Sequence, residues 1–95
     1  MQRVTVAELQ SIIDRINRVT GSPMMPYSMG DDGRHRANPG NYHLSRAYGG
    51  FCLHRMSTTG GGVRTPLMSY HVPARELRDQ MLAYVYGLET AREAA

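Results

Sequence analysis

Asn41-Tyr42-His43-Leu44-Ser45-Arg46-Ala47-Tyr48-Gly49-Gly50-Phe51-Cys52-Leu53-His54-Arg55-Met56-Ser57 decides the fold. Two runs rich in apolar and aromatic residues flank a Gly-Gly pair, and glycine tolerates the positive φ that a primed two-residue hairpin turn needs. With Gly49-Gly50 as that turn, Tyr48 stands opposite Phe51, Arg46 opposite Leu53, Leu44 opposite Arg55 and Tyr42 opposite Ser57. Successive strand residues alternate between faces, so the other side pairs Ala47 with Cys52, Ser45 with His54 and His43 with Met56. A third strand, over about residues 63–70, returns after Thr58-Thr59-Gly60-Gly61-Gly62, and Pro66 makes it an edge strand because proline cannot donate to a ladder.

Upstream, Thr5-Val6-Ala7-Glu8 fits a capping box. Val6, Leu9, Ile13 and Ile16 follow at helical spacing, Asp14 and Arg18 stand four apart on the wet face, and Gly21 and Pro23 end the pattern. This predicts a helix over about residues 6–19. Between it and the central hairpin, residues 26–29 and 34–37 can pair as a short hairpin across Gly30-Asp31-Asp32-Gly33. Downstream, Pro73 opens a second helix whose apolar stripe is Ala74, Leu77, Met81, Tyr84, Val85 and Leu88. The expected fold is α+β, in the order α-β-β-β-α: a three-stranded antiparallel meander with both helices on one face. One domain accounts for all 95 residues, with ends expected to fray near residues 1–4 and 90–95.

Charge is distributed unevenly. Gly33 to Arg75 holds six arginines (Arg34, Arg36, Arg46, Arg55, Arg64, Arg75), all four histidines and no Asp or Glu, while both flanks lean acidic. A field of one sign points to a partner of the other, a phosphate backbone or an acidic protein face. Arginine supplies every basic side chain apart from histidine; its planar fork pairs bidentately with phosphate or carboxylate. The single cysteine, Cys52, excludes an internal disulfide, so a reducing cytosol is the expected compartment. No leader pattern opens the sequence, and no apolar run is long enough to span a bilayer, so no membrane role is expected.

Two arrangements of the sheet lead to different sites. Large apolar side chains usually lie inside, which favours Tyr42, Leu44, Phe51 and Leu53 as core with Arg46 and Arg55 snorkelling at its rim. If the helices cover the other face, the same residues form an exposed aromatic–arginine platform of the kind on which single-stranded nucleic acids stack. Catalysis is not expected. His43, His54 and Cys52 share a face without metal-ligand spacing, and the window has no carboxylate to orient a Cys–His pair. Gly60-Gly61-Gly62-Val63-Arg64-Thr65 lacks the Lys-Ser/Thr ending of a phosphate-binding loop. No cofactor or metal is called for.

Asn41-Tyr42-His43-Leu44-Ser45, Ala47-Tyr48-Gly49-Gly50, Leu53-His54-Arg55, Gly60-Gly61-Gly62-Val63, His71-Val72-Pro73 and Arg75-Glu76-Leu77 together resemble a family of small proteins of tailed phages and prophages. The resemblance spans roughly residues 20–88 and implies a phage origin and a bacterial host cytoplasm; that family has no assigned activity and lends no catalytic residues. The element order alone also resembles double-stranded-RNA-binding domains, but Pro73-Ala74-Arg75-Glu76 stands where those domains carry a lysine cluster. The expected function is a non-enzymatic binding module in which Arg34, Arg36, Arg46, Arg55 and Arg64, with Tyr42 and Tyr48, contact nucleic acid. The alternative is a module that binds or blocks an acidic host protein, and a homodimer through the edge strand beyond Pro66 or through residual apolar surface is a third expectation.

Overall fold

Thr5 caps the first helix as its sequence demands: its hydroxyl accepts from the Glu8 N–H at 3.1 Å. The computed structural model describes residues 3–94; Met1, Gln2 and Ala95, which belong to the ends expected to fray, lie outside the described residues. In chain order the elements are α1 (Val6–Thr20), β1 (Tyr27–Met29), β2 (His35–Ala37), β3 (Tyr42–Ala47), β4 (Gly50–Met56), β5 (Val63–Arg64) and α2 (Ala74–Ala94). Gly21 ends α1 in the left-handed region and returns its N–H to the Arg18 carbonyl. On the wet face Asp14 accepts from Gln10 rather than pairing with Arg18.

Strands β3, β4 and β5 form an antiparallel sheet in that order, and β1 and β2 form a separate two-stranded hairpin. The fold is α+β with the expected helix–strands–helix layout. The two helices pack on each other, α1 also against β3 and α2 against β4. Between them and the sheet lie Leu9, Ile13 and Ile16 of α1, Tyr42 and Leu53 of the sheet, and Leu77, Met81 and Val85 of α2; Leu44 and Phe51 pack against this cluster. The large apolar face is therefore the core. Val4, in a stretch expected to fray, joins it, and α2 stays helical from Thr90 to Ala94.

The central hairpin forms two residues out of the expected register. Tyr42 pairs with Arg55, His43 with His54, Leu44 with Leu53, Ser45 with Cys52, Arg46 with Phe51 and Ala47 with Gly50. The turn is Tyr48-Gly49, both left-handed at φ 54° and 73°. Gly50 instead serves a close backbone approach. A Cβ there would meet the Val72 carbonyl oxygen at 3.1 Å, and its absence lets Phe51 and Val72 bridge. A slip of two preserves parity, so each strand residue keeps its expected face. Tyr48 moves from the sheet to the turn, and Gly50 from the turn to the sheet.

Tyr48 holds a left-handed backbone, uncommon for a residue with a bulky side chain, while 99% exposed. Tyr48→Asn would install the Asn-Gly pair this turn prefers and should stabilise the domain by about 0.5–1 kcal/mol. A urea midpoint that stays put or falls would contradict that reading of the turn.

The third strand is shorter than the expected 63–70. After Val63 and Arg64 pair with Met56 and Arg55, the chain takes seven residues, 65–71, to pass the three between Arg55 and Phe51, and rejoins β4 at Val72. Pro66 cannot extend the ladder, and the excursion removes the long edge expected to template a dimer.

Candidate oxyanion-binding site

The seven side chains expected to form one surface divide among three places. Arg55 and Arg64 are direct cross-strand partners on β4 and β5. Arg46 lies on β3, opposite Phe51, which stands about 13 Å along β4 from Arg55 at the usual rise of a strand. Its guanidinium rests 5.5 Å from the Phe51 ring centroid, and Tyr48 stands beyond it in the turn. Arg34 and Arg36 are exposed on the outlying hairpin, which meets the main sheet's loop where the Ala37 N–H donates to the Thr59 carbonyl at 3.1 Å.

Two candidates change role. Tyr42 is 2% exposed, so it offers no face to a base. Its hydroxyl lies 2.7 Å from that of Tyr84, and burial together with this bond pushes its pKa up to about 12. The ring carries the Arg55 guanidinium 4.9 Å from its centroid and is a platform for that arginine. Arg36 is bound in a fork to Asp32, at 2.6 and 3.2 Å, and the arginine beside it, followed by a backbone N–H from Arg34, holds that carboxylate below its usual range. Asp32 lies just outside the acid-free window in sequence yet closes onto it in space.

Arg55 and Arg64 line a cleft of about 210 Å³ with Pro39, Gly40, Met56 and Ser57. The Arg55 Nε donates to the Gly40 carbonyl at 3.3 Å, which fixes the guanidinium plane and leaves its two amino groups for a ligand. Among the described residues no carboxylate lies within ion-pair reach of Arg34, Arg46, Arg55 or Arg64, whereas Arg15 pairs with Glu89, Arg36 with Asp32 and Arg78 with Asp79.

The opposite face carries a row of half-buried rings that the sequence placed only in part. His43 and His54, now direct partners, stand edge to face at 5.7 Å; His71 follows at 6.3 Å and shares a hydrogen bond with the Ser45 hydroxyl at 3.0 Å. His71 joins because the excursion before Val72 folds back over this face. Among the described residues no three His, Cys, Asp or Glu side chains are grouped as metal ligands. The buried Cys52 thiol donates to the Met68 carbonyl at 3.3 Å, and burial raises its pKa, as suits a packed rather than a nucleophilic cysteine.

Burial first, and then the neighbouring imidazole, holds both His43 and His54 below the ordinary histidine pKa of 6.5. The unfolded chain therefore takes up protons before the folded one as pH falls. The associated stability is whole above about pH 6.5 and is lost as pH drops through the lower folded values. The thermal midpoint should fall between pH 7.5 and pH 5, and the double variant His43→Gln, His54→Gln should narrow that fall. An equal fall in the variant would assign the effect to other groups.

Compared with known proteins, the chain matches no family model, no curated protein and no solved structure. Among the described residues no helix is long and apolar enough to cross a membrane.

Proposed function

We propose that the protein is a non-enzymatic binding module for a polyanion, nucleic acid foremost, contacted by Arg34, Arg46, Arg55 and Arg64. The supporting observation is that these four share the acid-free window and, like Arg3, Arg18 and Arg92 outside it, have no carboxylate partner among the described residues, whereas Arg36 in the same window is bound to Asp32. Unpaired guanidinium groups on adjacent strands repel, and a fold that keeps them gains from a bound anion. Tyr48, exposed and held in an uncommon backbone conformation, supplies a ring that can stack on a base beside Arg46. In the setting implied by the resemblance to small phage proteins, the module works in the cytoplasm of a bacterial host.

The test is binding of the nuclease-treated protein to labelled single- and double-stranded DNA and RNA across a salt series. Four phosphate contacts give a log–log slope of about −3 to −4. No binding at low salt would remove the nucleic-acid assignment.

One observation favours a protein partner instead. Met25 and Met29 are each 65% exposed, and Tyr27 between them is 52% exposed, an apolar strip unusual on a solvated hairpin. Under this reading an acidic protein meets the arginines while the strip supplies contact area. Its capture would then survive nuclease and be lost in Met25→Ser, Met29→Ser.

A further inference from the structure

We infer that the cleft between Arg55 and Arg64 is a preorganised pocket for one phosphoryl group, and that it discriminates phosphate from carboxylate. The inference deepens the polyanion reading and rests on it for its biological ligand, although the pocket can be tested by itself.

Four features of the cleft converge. The two guanidinium groups come from directly opposed residues, so both reach one point from adjacent strands. Like charges opposite one another destabilise a ladder, and an anion between them reverses the sign of that interaction. Arg55 is held on two sides, by the Gly40 carbonyl at 3.3 Å and by the Tyr42 ring at 4.9 Å, and so loses little freedom when it binds. Burial first, and then the Tyr84 hydroxyl, pushes the pKa of the Tyr42 phenol up to about 12, so the surface beneath the cation stays neutral through the physiological range.

The fourth feature is the choice of anion. A carboxylate has two oxygens and is satisfied by a single guanidinium fork. A phosphoryl group with three non-bridging oxygens, as in inorganic phosphate or a terminal nucleotide phosphate, offers one more acceptor oxygen than a carboxylate, in a tetrahedral arrangement. It can therefore take a fork from Arg55, a second contact from Arg64 on the facing strand and a hydrogen bond from Ser57, which lines the same cleft. The Arg64 side chain makes no hydrogen bond or ion pair among the described residues, so its guanidinium is free to close on the ligand. Arg46 has no such partner within the cleft, which makes the tip of the hairpin a weaker, nonspecific contact.

The experiment is amide and arginine Nε NMR of the whole protein, titrated with inorganic phosphate and, in parallel, with acetate at matched ionic strength. Phosphate should give saturable shifts confined to Gly40, Arg55, Ser57 and Arg64. Acetate should bind about tenfold more weakly, and Arg64→Ala should lose about tenfold in phosphate affinity while Arg18→Ala, which removes the same charge from α1, stays within about twofold. Arg64→Gln keeps the side-chain bulk and should match the alanine variant, which separates lost charge from altered packing. Equal response to the two anions, shifts spread over every arginine, or an unchanged Arg64→Ala would overturn the pocket. A single-stranded oligonucleotide separates the two claims. If phosphate localises but the oligonucleotide does not bind, the pocket stands and the nucleic-acid reading falls. If the oligonucleotide binds without shifting Gly40, Arg55 or Arg64, the reading stands and the pocket falls.

Discussion

Asn17→Leu is expected to destabilise the domain by about 2–4 kcal/mol, a large share of the roughly 5–15 kcal/mol that holds a domain of this size. Asn17 is 1% exposed on α1, and its side-chain amide does what a neighbouring strand would do. Its Nδ2 donates to the Tyr42 carbonyl at 3.0 Å, and its Oδ1 accepts from the Tyr42 N–H at 2.8 Å. β3 is an outer strand of its sheet, so Tyr42 has no second ladder to satisfy these groups. The contact is buried under the helices, where water cannot replace it. Leucine has nearly the same shape and leaves one donor and one acceptor unpaired, each costing about 1–3 kcal/mol. Chemical denaturation checks this directly, with the exposed neighbour Arg18→Ala expected within about 0.5 kcal/mol of the parent. A loss as small as that in Asn17→Leu would mean the edge of β3 finds other partners.

Nothing local in the sequence marks Asn17. Its partner lies 25 residues away, and an asparagine between Ile16 and Arg18 reads as one more polar helix position. The legible features are those that local chemistry determines. Thr5 and Gly21 bound α1, Leu77, Met81 and Val85 bury the predicted stripe of α2, and strand alternation puts Leu44 and Leu53 on one shared face whichever register is chosen. The register itself departs from expectation because two adjacent glycines look like one turn. In the structure Gly49 serves the turn, and Gly50 serves the backbone of residues 71 and 72, a long-range demand invisible at that position. The site shows the same limit. The acid-free window identifies the arginines, but the pairing of Arg55 with Arg64 depends on the conformation of the loop from Ser57 to Gly62, and the capture of Arg36 on a fold that returns Asp32 to it. Tyr42 resembles a stacking surface in sequence because a strand residue's side does not reveal which side the helices cover.

That difference between membership of the window and placement in the fold yields the last prediction. Arg55→Ala, Arg64→Ala should weaken nucleic-acid binding by about 10- to 100-fold at fixed salt and lower the magnitude of the log–log salt slope by about 2. Arg36→Ala removes a charge from the same basic window, yet Asp32 already holds that charge at 2.6 Å, so its affinity and slope should stay within about twofold of the parent. The double variant should remain folded. It loses the stacking of Arg55 on Tyr42 but also relieves two like charges placed directly opposite one another, terms of opposite sign and similar size. Urea denaturation measured beside the binding series separates a lost contact from a lost fold. If all three arginines contributed alike, affinity would follow net charge, and the arginine-rich stretch would act as a diffuse field. If the double variant falls while Arg36→Ala holds, affinity follows geometry: the anion is held where β4 and β5 set two unpaired guanidinium groups face to face, one already braced on a buried tyrosine.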